Sequence, residues 1–374
     1  MNSILLVLLI AAVAALIAWR VWRPSKTAPT RSARDLTPPP PPLAAPVTVP
    51  VHDHTPAPAA ATPWTLPPEL AAFRRTSADD LSPADLAALQ QRLQTIPRPP
   101  RALHQLVSPD FVQTATSLEL AELVLSEPHI AAKVLATVNS PLYGLSRPVV
   151  SIGQGITFLG LNTVRGISLR YLLDQSFPAQ SPAVKAAFDE LWLASALASE
   201  LCSRLAPRLG DRDTGTRVTQ VVLSYLGHLA ALSLLPANEA AALHGQPLLE
   251  RTQKEQAVLG IGGAELGRLL MQSWQLPAAL VADVARVDRW LEGDAGTDNG
   301  QALCYLCARL GERLARSHGP DEASAALVCD DSLELQVVAH HLRARHGTPL
   351  DDALAAPDLQ QALLQMLENP NPAN

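Results

Sequence analysis

The sequence predicts an all-α fold, and three observations carry that expectation. Apolar residues recur at spacings of three and four through most of the chain after residue 80. Polar N-cap residues and prolines stand just before these periodic runs, where helices begin. Aromatic residues make up only 4%, Ala and Leu dominate, and no alternating strand pattern of useful length occurs, a bias toward packed helices over sheets. The chain is 48% hydrophobic and 17% charged over 374 residues, enough to bury one large core or two smaller ones.

The first element is apolar without interruption: ILLVLLIAAVAALIAW, residues 4–19. As a helix this stretch spans about 24 Å. Val21 and Trp22, with Arg20 snorkelling, extend it toward the roughly 30 Å hydrocarbon core of a bilayer. No Lys or Arg precedes it, whereas Arg20, Arg23, Lys26, Arg31 and Arg34 follow before the first acid, Asp35. The positive-inside rule then puts the following chain on the cytoplasmic side of a membrane crossed once. A cleaved signal peptide fits less well, because a basic leading region and an A-x-A cleavage site are not evident. Residues 1–23 are therefore expected to be a transmembrane anchor, with residues 4–22 in the membrane.

Residues 24–68 hold fourteen of the 33 prolines. Such a Pro/Ala-rich segment buries no core and is expected to be an extended linker, reaching at most about 140 Å at about 3.1 Å per residue. Its PPPPP run could dock a polyproline reader, although a spacer explains it as well. His52 and His54 stand there without further ligands.

Residues 69–374 are expected to form the helical body. Ser82 and Pro83 open a helix whose Leu86, Leu89 and Leu93 share a face. Thr116 and Glu119 have capping-box spacing. Pro128 starts a helix with Ala131, Val134, Leu135 and Val138 as its inner stripe. NSPLYG, Asn139 to Gly144, reads as an elbow: Asn139 and Ser140 bond local backbone, Pro141 stops the helix and Gly144 permits positive φ. Ser151 begins a helix that Gly160 ends in a left-handed cap, and Asn162 caps the next. The stretch after Gln301 reads as two or three more helices of the same body.

Candidate chemistry is sparse. VVLSYLGHLAAL, residues 221–232, holds His228 in an apolar run, with no second nitrogen or carboxylate in view to complete a divalent-ion site. Cys304 and Cys307 form a CxxC, but on a leucine-rich helix and without a second ligand pair. Cys202 and Cys329 complete the cysteines, and buried thiols are expected. His340, His341 and His346 do not make a one-turn metal pair. GIGGAELG, residues 260–267, follows no strand and lacks the Lys-Ser/Thr of a phosphate loop, so a helix-leading turn is expected. GDRDTGTR, residues 210–217, reads as a charged loop. The net charge of −6 speaks against a general nucleic-acid binder.

Taken in order, IPRPPRALHQLV, LAELVLSEPHIAAKVLATVNSPLYG and SIGQGITFLGLNTVRGISL resemble the HDOD domain, the HD-related output domain of bacterial signalling proteins. The residues that carry the resemblance are Pro97 to Pro100, Glu127-Pro128, Asn139, Ser140, Tyr143, Gly144, Ser151, Leu159 and Gly160. Gly227, and then Gly267, Trp274, Leu276 and Pro277 in ELGRLLMQSWQLPAAL, continue it. It covers roughly residues 90–290. The resemblance implies a helical fold related to HD phosphohydrolases, in which His and Asp side chains hold metal ions that activate water. The positions implied for those ligands carry Ala194, then Ser224 and Tyr225 in place of His-Asp, then Gly263, then Val287 and Asp288. On that basis no catalytic, cofactor or metal site is expected, and the chain is expected not to be an enzyme.

The expected function is that of a membrane-tethered signalling or scaffold module binding a protein partner, in the groove between the residue 83–175 helices and the later ones. A metal-dependent phosphohydrolase acting on a nucleotide or cyclic dinucleotide is the alternative, with Asp211, Asp213, His228 and Asp288 recruited as ligands. A cyclic-dinucleotide or other nucleotide sensor is a third possibility.

Overall fold

The computed structural model describes residues 74–140, 143, 145–178, 181–292, 298–329, 332–343 and 350–368. The expected membrane anchor and proline linker lie outside the described residues, as do Gly144 and His346. Among the described residues every regular element is helical, and no helix is long and apolar enough to cross a membrane.

The helices are α1 (Pro83–Leu93), α2 (Arg101–Leu106), α3 (Pro109–Thr114), α4 (Ser117–Leu125), α5 (Pro128–Val138), α6 (Ile152–Leu159) and α7 (Leu161–Asp174). The long α8 (Pro182–Arg208) follows, then α9 (Thr214–Ser224), α10 (Leu226–Leu234), α11 (Ala237–Ala241), α12 (Leu248–Leu259), α13 (Gly263–Ser273) and α14 (Ala278–Val287). The chain closes with α15 (Asn299–Ala315), α16 (Pro320–Ala326), α17 (Leu333–Arg343), α18 (Leu350–Leu354) and α19 (Pro357–Glu368). Residues 301–368 thus supply five helices rather than two or three, and α15, α17 and α19 bury side chains in the common core.

Most of the sequence-level caps form as expected. The Ser82 hydroxyl accepts from the Asp85 amide with Pro83 in the first turn, and Thr116 and Glu119 close a capping box. Ala131, Val134 and Val138 of α5 are buried, and Ser151 caps α6 through the Gln154 amide. Asn139 locks the elbow by imitating a backbone strand: its Nδ2 donates to the Val149 carbonyl at 2.8 Å and its Oδ1 accepts from the Val149 amide at 2.7 Å.

Two expectations fail at the next junction. Gly160 has φ 86° but ψ 156°, so the chain does not enter a left-handed cap there; it turns straight into α7. That direct turn places Asn162 inside α7, where its Oδ1 accepts from Arg165 at 3.2 Å instead of capping the helix. At the end of α13 the left-handed residue is Gln275, with φ 61°. The Leu276 amide reaches back to the Met271 carbonyl, the 6→1 bond of a Schellman motif.

The core is organised around α8, about 40 Å long, which lies on α15 and α9 and also touches α7. The helices α4 to α7 form a layer on one side, and α10, α13 and α14 one on the other. The tightest crossing is between α10 and α13. A methyl group at Gly227 would collide with the backbone carbonyl of Gly263, and one at Gly267 would lie 3.0 Å from the Gly227 amide nitrogen. Only backbones without side chains permit that approach.

This crossing yields a paired prediction. Gly227→Ala is expected to cost more than about 3 kcal/mol or to prevent folding, since rigid backbone has to move. Gly153→Ala, in α6 with nothing within 4 Å, is expected to gain about 0.5–1 kcal/mol. Thermal or urea unfolding of the two variants checks both signs.

Candidate functional site

The positions implied for HD ligands come together inside the body, but their side chains serve packing. Ser224 bonds its own helix through the Val221 carbonyl at 2.9 Å, and the Tyr225 hydroxyl donates to the Ala308 carbonyl of α15 at 2.8 Å. Ala194 is fully buried, and its carbonyl lies where any side chain on Gly311 of α15 would go. Beside Gly263, the space that a side chain would fill is taken by the imidazole of His228.

His228 is 1% exposed and is not alone. Its Nδ1 meets Glu255 Oε1 at 2.8 Å and its Nε2 meets Asp288 Oδ2 at 3.0 Å. The expectation that no carboxylate accompanies this histidine is therefore corrected: α12 and the end of α14 deliver one to each ring nitrogen. The chain of contacts runs on. Asp288 Oδ1 accepts from Arg309 at 3.0 Å, Arg309 lies 3.3 Å from Glu312, and Arg251 donates to Glu312 at 2.7 Å. The second oxygen of Glu255 accepts the Gly263 amide at 2.6 Å, at the positive end of α13. All six ionisable residues are buried.

Their charges compensate. Burial and Arg251 disfavour a proton on His228, but Glu255 and Asp288 outweigh them and raise its pKa above the ordinary 6.5. Burial works against ionised Asp288, yet Arg309 and His228 hold its carboxyl well below the usual range. Glu312 behaves the same way, lowered by Arg251 and Arg309 against the effect of burial. With His228 protonated, three cations (His228, Arg251, Arg309) face three carboxylates (Glu255, Asp288, Glu312).

The metal that the fold relationship implies does not fit these residues. Both nitrogens of His228 are engaged, on opposite edges of the ring, so Glu255 and Asp288 do not converge with it on one point. Among the described residues no group of three His, Cys, Asp or Glu could hold a metal ion. Of the other recruits considered, Asp211 pairs with Arg217 at 3.0 Å and accepts the Asp213 amide at 2.7 Å, tying the loop before α9. Cys202, Cys304, Cys307 and Cys329 are buried free thiols. His341 bonds Asn299 and lies edge-on to Trp290. The glycines of residues 260–267 form the expected turn, with left-handed Gly260 ending α12 and Gly262 preceding α13.

The signature residues are mostly structural. Pro128 begins α5, Pro277 precedes α14, and Trp274 is buried against Phe177. Ser140 is buried and Leu159 packs at the edge of the core. Tyr143 differs: it lines a small enclosed space with Thr137, Arg170, Ser199 and Glu200.

The largest opening is a cleft of about 700 Å³ between α5 and α7 on one side and α8 and the end of α15 on the other. Lys133, Arg170, Lys185 and Arg316 supply its positive groups, and His244 and His318 also line it. Asp174, Asp189 and Glu190 answer Lys133, Lys185 and His244 at 3.5, 2.6 and 3.2 Å. Arg170 lies over the Tyr171 ring at 4.7 Å instead.

The buried network sets a pH window. His228, with its raised pKa, contributes stability that is complete below about pH 6.5 and is lost as pH rises through its folded value. Asp288 and Glu312, with lowered values, contribute stability present above their ordinary values of 3.8 and 4.5 and lost as pH falls. Stability is expected to peak between those limits. Asp288→Asn is expected to cost about 3–5 kcal/mol, because it leaves the buried cluster of Arg309, His228 and Arg251 one negative charge short. Urea unfolding across pH checks both, and ring nitrogen NMR shifts should place the His228 titration above the ordinary 6.5.

Comparisons with known proteins agree on the fold. A family model described as the HDOD domain matches residues 96–289, more than half of the chain. No curated protein matches. An HDOD domain protein of unknown function from Geobacter sulfurreducens is similar in structure, with TM-score 0.50, 18% identity, and coverage of 74% of this chain and 96% of that one. A protein from Shewanella amazonensis named a putative phosphohydrolase gives TM-score 0.50, 20% identity, and coverage of 75% and 98%. Another from the same organism, named a putative metal-dependent phosphohydrolase, gives TM-score 0.48, 16% identity, and coverage of 75% and 96%. The name of the first Shewanella amazonensis protein, which shares the fold, corrects the expectation that the chain is not an enzyme. By the extent of the family match, this chain belongs to the HDOD domain family.

Proposed function

We propose that the chain is an HDOD signalling module that acts by docking a partner protein in the cleft between α5, α7, α8 and α15. Residues 4–22 would hold it on a bacterial inner membrane, with the helical body cytoplasmic and the proline linker as its tether. Confinement beside the bilayer raises the effective concentration of a membrane-bound partner.

The observation that supports this reading is the cleft. Its volume of about 700 Å³ lies in the range that binding sites occupy. Its rim mixes cations with the buried aromatics Tyr171, Phe177, Phe188 and Trp192 behind them. Arg170 holds its charge over an aromatic face rather than on a carboxylate, and arginine beside aromatics is the composition of interface anchors. An acidic segment of a partner suits it best.

A second reading comes from the name of the Shewanella amazonensis protein of the same fold. It is metal-dependent hydrolysis of a phosphoester, a nucleotide or cyclic dinucleotide among them. Here it would have to recruit donors such as His228 and Asp288, which the ion network already employs.

A photocrosslinker at Leu193, on the cleft wall, separates the two readings. A discrete adduct in cells is expected, reduced about tenfold or more by Arg170→Glu with Lys185→Glu, a loss of about 1.4 kcal/mol. Absence of any adduct would remove the docking reading. Stoichiometric iron or manganese in the purified chain, with phosphodiester turnover, would replace it with hydrolysis.

A further inference from the structure

We propose that Arg165 and the first turn of α9 form a seat for a small phosphate-type oxyanion, and that α3 covers the seat with its own carbonyl oxygens. The site is separate from the cleft and does not depend on the docking reading. Arg165 belongs to α7 and is 1% exposed, yet among the described residues no carboxylate pairs with it. Its Nη1 donates to Asn162 Oδ1 at 3.2 Å and its Nη2 to the Phe111 carbonyl at 3.4 Å. Its Nε has no acceptor among the described residues. A buried guanidinium with only neutral acceptors is costly. Burial alone brings its pKa down to about 10. Every other fully buried cation of the ion network, by contrast, meets a carboxylate.

The guanidinium lies against the start of α9. A methyl group at Gly215, the second residue of that helix, would run into Nη1. The helix is eleven residues long, and its N-cap residue, Asp213, makes no side-chain capping bond. A cation and the positive end of a helix dipole therefore meet, and the carboxylate of the N-cap Asp213 bonds no amide of that turn, so the turn keeps the arrangement that receives anions at helix N-termini. A planar fork beside helix amides suits a tetrahedral oxyanion, which can accept from both at once.

What faces the pair instead is α3. The carbonyls of Phe111 and Val112 approach Arg165 and Gly215, at 3.4 Å from Nη2 and 3.3 Å from the Gly215 methyl position. They belong to the negative end of a helix, a weak stand-in for an anion. The helix α3 has six residues and buries none of them fully; Phe111 packs against the edge of the core, and the other residues do little to oppose its displacement. Asn162, the other acceptor, also lines an open cavity of about 360 Å³ with Gly160, Leu161, Thr163 and Arg204. That cavity gives the anion a route in.

The test uses the purified full chain, its Arg165→Met variant and its Arg165→Lys variant. Inorganic phosphate is titrated against chloride at matched ionic strength, with a nucleoside monophosphate as a second arm, and hydrogen exchange is followed. Phosphate is expected to raise the thermal midpoint of the native chain saturably, slow exchange of the amides at 214–216 and speed exchange across 109–115. Arg165→Met is expected to lose the whole response while remaining at least as stable without phosphate, because it removes an unpaired buried charge. Arg165→Lys, which keeps the charge and loses the fork, should respond with weakened affinity. Tighter binding of the monophosphate than of phosphate would identify a phosphorylated small molecule as the source. No saturable response, an equal response in Arg165→Met, or unchanged exchange in α3 would each overturn the proposal.

Discussion

His228 bridges Glu255 and Asp288 in a dry interior, and through them the later helices are joined into one electrostatic unit. Its partners come from α12 and the residue after α14; Arg309 and Glu312 come from α15 and Arg251 from α12 again. Elements far apart in sequence thus share charge in a place where an unpaired ion is expensive. Hydrophobic contact alone would let α12, α14 and α15 slide against α10. An imidazolium held at both nitrogens tolerates much less displacement, since each carboxylate must stay on its own edge of the ring.

The network stands where glycine packing has brought the helices closest. Gly227 and Gly267 let α10 and α13 meet at backbone distance, and Gly263 leaves room for the His228 ring. The same glycine also sends its amide to Glu255. Packing and electrostatics are therefore not separable here. A side chain at Gly263 would displace the imidazole, and losing the imidazole would leave Glu255 and Asp288 facing each other across a cavity. The interior positions that the resemblance implied for metal ligands thus serve packing and internal neutralisation.

Much of this was legible in the sequence and some of it was not, for identifiable reasons. Local signals translated directly: Ser82, Thr116, Pro128 and Ser151 begin helices because each supplies a capping oxygen or a preset φ. The elbow at Asn139 and the turn at residues 260–263 were also readable, since the residue types leave few alternatives. Gly160 misled because a positive φ has two uses, and ψ, which the sequence does not encode locally, decides between them. His228 appeared isolated because its carboxylates lie 27 and 60 residues away. One signal did exist. Tyr305, Arg309 and Glu312 follow the helical period of the apolar face in α15, and charges on an inward stripe announce buried partners. Arg165 carried the same signal in α7, between Val164 and Leu169.

Those two buried charge systems differ in a way that bears on function. In the His228 network, each cation answers a carboxylate, so its charges compensate one another without an outside group, and its physical role is to hold helices in register. Arg165 is equally buried, but its acceptors are an amide oxygen and a carbonyl. Neutral acceptors satisfy hydrogen bonds without neutralising charge, and a fold built from 29 basic and 35 acidic residues had acids to spend on the position. Leaving it uncompensated beneath a six-residue helix that buries none of its residues fully makes sense if the missing charge arrives from outside. The interior of this protein thus separates charges that finish the fold from one that leaves it open to a ligand, and only the second kind can transmit a signal by being occupied.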